Sequence, residues 1–192
     1  MNICVYGAAS NKIDSQYIEE TEKLGKELAK RGHNLVFGAG GTGLMGAVAR
    51  GVHEGGGKIT GVIPTFFLEK DIEIVFPECD TVIYTKDMRD RKEKMEELAD
   101  AFVMVPGGIG TFEEFYEILT AKQLEQHKKC IAVYDINGYF NELQKMMEHS
   151  IETHFINEEC RELYKLFSDK EELFSYIENY VETSLGVDEL KK

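Results

Sequence analysis

The sequence is poor in basic side chains. It holds 22 lysines and arginines against 35 aspartates and glutamates, which gives a formal net charge of −13. Such a chain lacks the broad basic surface that nucleic acids and anionic membranes require, which argues against both as partners. A small anionic ligand remains compatible with this charge if its pocket is locally basic.

Several other signals are missing. No apolar run approaches the roughly 20 residues of a membrane helix, and no basic leader precedes the apolar N terminus. None of the four cysteines stands in a C-x-x-C pair, and none of the five histidines has metal-ligand spacing. These absences predict a cytoplasmic protein with no metal, no cofactor and no disulfide framework.

Apolar strand-like runs alternate with amphipathic helical stretches along the whole chain. This alternation predicts an α/β, Rossmann-like, doubly wound sheet of about six to seven parallel strands with helices on both faces. With no linker or repeat visible, residues 1–192 are predicted to form a single nucleotide-binding domain. Strands are predicted at 2–6, 33–37, 58–63, 81–85, 101–105, 129–135 and 163–167. Helices are predicted at 15–31, 87–98, 111–126, 139–153 and 169–183, and a further helix follows the glycine-rich stretch 38–46 and reaches about residue 54. Residues 65–80 are predicted to be irregular, as a flap over the site, and residues 188–192 to be a loose tail.

The sequence P-G-G-I-G-T-F-E-E at 106–114 follows the fifth predicted strand. A helix that starts after bare glycines presents free N–H groups and a positive dipole end, which favours an anion such as phosphate. No lysine follows the glycines, so the stretch is not a Walker P-loop. Thr111 and Glu114 also match a T-x-x-E capping box, in which Glu114 would do no more than cap its own helix.

A second glycine-rich loop, residues 38–46, follows the second predicted strand and contains G-x-G-x-x-G. A dinucleotide site would place this motif after the first strand and an acid at the end of the next one. The next strand here ends Val62-Ile63-Pro64. Support for part of a mononucleotide pocket fits better, and glycines that only allow tight helix packing are the alternative.

The charged helix at 87–98 supplies basic residues at the same sheet edge. Arg91 and Lys92 follow Met88 by three and four residues, so at least one of them turns with Met88 toward the sheet. An inward arginine there can bind phosphate or keep a neighbouring carboxylate ionised.

These motifs together resemble the LOG family of cytokinin-activating nucleoside 5′-monophosphate phosphoribohydrolases, whose members are often labelled lysine decarboxylases. Residues 106–114 are similar to its P-G-G-x-G-T-x-x-E signature, and 88–92 to its M-x-x-R-K. Residues 40–46 and 123–129 resemble its second glycine loop and its Q-L-x-x-H-K-K. The resemblance implies hydrolysis of the N-glycosidic bond of a purine riboside 5′-monophosphate, with adenine or N6-modified adenine as the base. It also implies a homodimer.

Carried over by resemblance, Arg91 and Glu114 are the catalytic pair. The implied substrate-binding set is Ser10, Gly41, Gly43, Met88, Arg91, Lys92, Gly108, Ile109, Gly110, Thr111, Phe112, Glu113, Glu114 and Thr120. Ser10 keeps the one hydroxyl of the first turn, and Ile109 stands where the family often has tyrosine. A non-enzymatic nucleotide or cofactor carrier on the same scaffold is the alternative function.

Overall fold

The computed structural model describes residues 1–70, 72–182 and 185–191. Seven parallel strands form one sheet in the order β4-β3-β2-β1-β5-β6-β7. The strands are β1 Asn2–Tyr6, β2 Asn34–Phe37, β3 Ile59–Pro64, β4 Thr81–Thr85, β5 Ala101–Met104, β6 Cys130–Tyr134 and β7 Lys165–Phe167. The predicted doubly wound parallel sheet is therefore confirmed.

Helices cover both faces of the sheet. They are α1 Ser15–Lys30, α2 Gly43–Glu54, α3 Thr65–Glu69, α4 Met88–Leu98, α5 Ile109–Gln123, α6 Asn141–Glu152, α7 Lys170–Glu178 and α8 Val187–Lys191. Alternate residues of β1 enter opposite layers, because strand side chains point to the two faces in turn. Ile3 and Val5 pack with α1, α2 and α7, while Cys4 and Tyr6 pack with α4, α5 and α6.

The strand order reverses at β1, which pairs with β2 on one side and with β5 on the other. On one side of β1 the sheet continues with β2, β3 and β4, and on the other side with β5, β6 and β7. The loops that leave the carboxyl ends of β1 and its neighbours therefore diverge at this point. Ligands of open α/β sheets bind in the crevice that this separation creates. The loops after β1 and β5 meet there, where the Ala8 N–H donates to the Pro106 carbonyl at 3.2 Å.

Several boundaries differ from the sequence prediction. Helix α5 begins at Ile109, two residues before the predicted Thr111, because Gly108 provides the N-cap backbone. The predicted flap contains the short helix α3, and the predicted loose tail contains α8, whose Leu190 is buried. Residue 183, the predicted end of the last long helix, and residue 192 lie outside the described residues.

None of the helices in the described part of the chain combines the length and apolarity that a membrane crossing needs. All four cysteines are free thiols, and Cys4 and Cys130 are buried, as predicted for small core residues.

Candidate active site

A cavity of about 400 Å³ lies at the carboxyl edge of the sheet, on the side covered by α4 and α5. The turn after β1, the end of β2, helix α4 and the start of α5 form its walls, and the segment after β3 closes over it. Eight of the residues that the sequence predicts for substrate binding line this cavity: Ser10, Met88, Arg91, Gly108, Gly110, Thr111, Glu113 and Glu114.

Arg91 lies one turn into α4 and is buried. Its Nε donates to the Val62 carbonyl at 3.2 Å and its Nη2 to the Gly38 carbonyl at 3.0 Å. The Phe67 ring stacks on the guanidinium, 5.4 Å from its carbon. These partners are neutral, so in the described part of the chain Arg91 is a rigid cation without an ion pair.

Gly38 makes room for this arginine. A Cβ at position 38 would lie 1.7 Å from Arg91 Nη2, a distance at which the guanidinium must move away. The sequence places Gly38 in a glycine loop but predicts no role for it in the site. Its partner lies 53 residues away, so no local signal could identify the contact.

Glu114 is partly buried and lines the cavity. Since Gly108 is the N-cap of α5 and no side chain caps the helix, the predicted capping box does not form. Burial raises the pKa of Glu114 from 4.5 to about 7, opposed by Arg91. The acid is thus poised between its neutral and ionised forms at physiological pH, as expected for a functional carboxyl.

Glu73 is a third carboxylate in the cavity beside Glu113 and Glu114, and no sequence motif marks it. It lies on an extended segment held against the second glycine loop, where the Gly41 N–H donates to the Ile74 carbonyl at 2.7 Å and the Phe76 N–H to the Ala39 carbonyl at 2.8 Å. Glu73 Oε2 is buried and has no hydrogen-bond partner among the described residues. Burial raises the pKa of Glu73 as well, with Arg91 opposing the rise.

Lys92 turns away from the cavity. Its Nζ forms ion pairs with Glu113 and, at 2.7 Å, with Glu117, so that it ties α4 to α5. Burial alone would lower the pKa of Lys92, but the two carboxylates raise it. Lys92 therefore pairs with Glu113, which lines the cavity, and does not face the cavity itself.

The remaining predicted residues lie elsewhere. Ile109 is 88% exposed, and Phe112 packs against the core cluster beneath α5. Thr120 lines a separate cavity with Tyr116 and Leu119, near α8. Gly41 and Gly43 pack against neighbouring loops and do not line the candidate active-site cavity.

The N–H groups at residues 108–111, where α5 begins, donate no hydrogen bond to any other residue that the structure describes. A Cβ on Gly107 would lie 2.1 Å from Thr111 Oγ1, so glycine lets Thr111 fold back under the loop. Gly108, Ile109 and Gly110 are exposed, and the first amides of a helix have no partner within it. The arrangement combines an anion-binding helix end, a fixed cation and two desolvated carboxyls.

Comparison with known proteins agrees with these motifs. A family model described as "Possible lysine decarboxylase" matches residues 45–177. The cytokinin riboside 5′-monophosphate phosphoribohydrolase LOG of Oryza sativa subsp. japonica is 35% identical over 179 residues, 93% of this chain and 73% of that protein. LOG7 of Arabidopsis thaliana, named for the same activity, is 36% identical over 178 residues, 93% of this chain and 81% of the relative.

Solved structures with the same fold include the molybdenum cofactor carrier protein of Chlamydomonas reinhardtii. It aligns with a TM-score of 0.69 at 21% identity, over 92% of this chain and 95% of that one. The molybdenum cofactor binding protein of Rippkaea orientalis aligns with a TM-score of 0.67 at 16% identity, over 92% and 93%. At these identities the likeness establishes only the fold. The motifs, the family model and the relatives at about one-third identity lead to one conclusion: the chain belongs to the LOG family.

Proposed function

We propose that the protein hydrolyses the N-glycosidic bond of a purine riboside 5′-monophosphate, releasing the free base and ribose 5-phosphate. Adenine or an N6-modified adenine is the proposed base. The observation that carries this proposal is the single cavity that joins the open N terminus of α5 to Arg91, Glu73 and Glu114. The names of the relatives support the same reaction.

The phosphate binds at the start of α5 in this proposal. The amides of Gly108 to Thr111 and the helix dipole favour a dianion there without any lysine. The phosphate then acts as a handle that holds the ribose, since binding energy from a remote group fixes the geometry at the reacting carbon.

The carboxyls act on the sugar. Breaking the bond from C1′ to the base nitrogen leaves positive charge on the ribose ring, and a nearby carboxylate stabilises that charge. Glu114 in its ionised form also accepts one proton from the attacking water, whose oxygen bonds to C1′ as the bond to the base breaks. Glu114 then releases this proton and the leaving base takes up one, so the two proton transfers balance. Glu73 accepts from the ribose hydroxyls, and the charge of Arg91 favours the ionised form of both carboxyls by opposing the rise of their pKa values.

Incubation with AMP and with an N6-modified AMP, followed by chromatography of the free base, tests the proposal. Glu114→Gln and Arg91→Ala should each lower base release by about a hundredfold or more while the melting curve stays cooperative. Glu93→Gln is the matched control, because Glu93 is exposed on α4 and does not line the cavity, and it should leave base release unchanged. Normal turnover by Glu114→Gln would contradict the assigned role.

The alternative is a carrier that binds a nucleotide or phosphorylated cofactor and releases no base. The same assay separates the two, because a carrier retains its ligand intact. Lysine decarboxylation, which the family description suggests, has no support in this cavity: among the described residues, no lysine lines it.

A further inference from the structure

Tyr139 contacts the glycine loop at 106–110, where the proposed phosphate binds, although it lies outside the signature motif at 106–114. It follows the short 3-10 helix Ile136–Gly138 after β6, and its hydroxyl donates to the Gly107 carbonyl at 2.5 Å. Gly107 and Tyr139 border a second, apolar cavity of about 270 Å³ next to Tyr17 and Leu44. Gly108 lines both this cavity and the candidate active site, so the peptide that joins Gly107 to Gly108 runs between them.

The orientation of this peptide decides where the Gly108 amide points. A trans peptide is planar, with its C=O and N–H directed to opposite sides, and the described residues contain no cis peptide. With the Gly107 carbonyl directed at Tyr139, the Gly108 N–H points in the opposite direction within the peptide plane, away from Tyr139. No acceptor contacts this N–H within the described ranges.

Two glycines in succession give the loop little intrinsic preference for this orientation, because glycine tolerates most backbone conformations. The hydrogen bond from Tyr139 supplies the missing restraint. It also polarises the peptide, which makes the N–H on the far side a stronger donor.

Tyr139 is itself held in place before any ligand binds. Asp135 Oδ1 accepts from the Phe140 N–H at 2.8 Å, and this bond closes the turn that carries Tyr139. Asn137 and Gly138 have φ of 55° and 72°, which bend the chain sharply. The Tyr139 ring meets the Tyr17 ring edge to face at 6.0 Å.

We propose that Tyr139 is a positioning residue that fixes the Gly107–Gly108 peptide with its N–H toward the phosphate of the substrate. The proposal rests on the proposed function for the assignment of the phosphate to this loop. The role is specific to phosphorylated ligands, because the oriented amide serves no other part of the substrate.

Tyr139→Phe removes the hydroxyl and keeps the ring. The dissociation constant of ribose 5-phosphate, measured by calorimetry, should rise roughly three- to tenfold, the effect of one hydrogen bond. The kcat/KM for AMP should fall by a similar factor, while kcat/KM for adenosine, which lacks the phosphate, should stay the same. Tyr17→Phe, which removes the hydroxyl of the neighbouring tyrosine and keeps the ring that contacts Tyr139, should alter none of these values.

Unchanged binding of ribose 5-phosphate by Tyr139→Phe would overturn the proposal, and so would an equal loss for AMP and adenosine. A second measurement does not depend on the variant's folding: inorganic phosphate added to the ¹⁵N-labelled wild-type protein should shift the Gly108 amide resonance, and the absence of a shift would also overturn it. Both binding measurements need no turnover. A protein that binds ribose 5-phosphate through Tyr139 but releases no base would contradict only the proposed function.

Discussion

The two glycine loops of this protein have similar sequences, but they differ in whether the first N–H groups of the following helix are hydrogen-bonded. Each follows a strand in the middle of the sheet and leads into a helix, α2 or α5. At α2 the first amides are occupied: Leu44 and Met45 N–H donate to the Ala8 carbonyl at 2.8 and 3.2 Å, and the Gly43 N–H donates to Asn11 Oδ1 at 3.2 Å. At α5 the loop is exposed and faces the cavity.

The glycines of the two loops do different work. We call the loop at 38–46, whose amides are occupied, the closed loop, and the loop at 106–110 the open loop. In the closed loop the glycines allow backbone to pack on backbone, since a Cβ on Gly46 would lie 2.2 Å from the Gly41 carbonyl oxygen. In the open loop, Gly108 and Gly110 have nothing within 4 Å of an added Cβ. A glycine motif thus marks a sharp turn into a helix, and the neighbouring loop decides whether the helix end is free for a ligand.

The closed loop still contributes to the cavity through Gly38. Gly38→Ala tests this contribution and has the largest expected effect on base release. The added Cβ should displace the Arg91 guanidinium and lower base release roughly a hundredfold, as the loss of a preorganised charge does. The fold should persist because the added Cβ clashes with the guanidinium end of the Arg91 side chain and not with backbone.

A double-mutant cycle measures whether Gly38 acts through Arg91. Gly38→Ala should have almost no further effect in an Arg91→Ala background, because both changes remove the same interaction. Additive losses in base release would mean that Gly38 serves the site in some other way.

Glu114, on the helix that follows the open loop, makes the stability of the protein depend on pH. Because burial raises its pKa from 4.5 to about 7, the folded state binds this proton more tightly than the unfolded state. The stability from that proton is complete below pH 4.5 and is lost as the pH rises through about 7. Glu114→Gln stays neutral, so it should exceed the wild type in unfolding free energy by about 3 kcal/mol above that range.

Urea unfolding at acidic and alkaline pH measures this difference. The exposed Glu93→Gln is the control, and a surface change of that kind should stay within about 0.5 kcal/mol at both pH values. Equal stability of wild type and Glu114→Gln at alkaline pH would show that Glu114 is well solvated in solution.

Gly46→Ala and Gly110→Ala form the most direct contrast between the loops, with the smallest effects. Gly46→Ala forces backbone apart and should cost about 1–3 kcal/mol of stability. Gly110→Ala adds a helix-favouring residue in open space and should stabilise the protein by about 0.5–1 kcal/mol, yet weaken AMP binding several-fold by filling the cavity. Thermal unfolding and calorimetry measure the two effects, and a stable Gly46→Ala variant would contradict the packing role.

Much of the fold and several residues of the candidate site could be predicted from sequence, because the sequence signals for them are local. Alternating apolar runs and helices predict about six to seven parallel strands, and short motifs select Arg91 and Glu114. Glu73 could not be predicted, since its segment carries no motif and reaches the cavity only by pairing with Gly41. Lys92 was predicted to bind substrate, and it pairs with Glu113 and Glu117 because α4 lies beside α5.

The sequence by itself determined the layered fold, the carboxyl-edge location of the site and the residue types available there, since periodicity and turn chemistry act over a few residues. Only the tertiary structure decided which helix end stays open and whether Glu114 is a cap or a desolvated acid. Both depend on contacts between distant loops: the Ala8 carbonyl closes α2, while Tyr139 holds the loop of α5. Such contacts form only when the strand order brings those loops together.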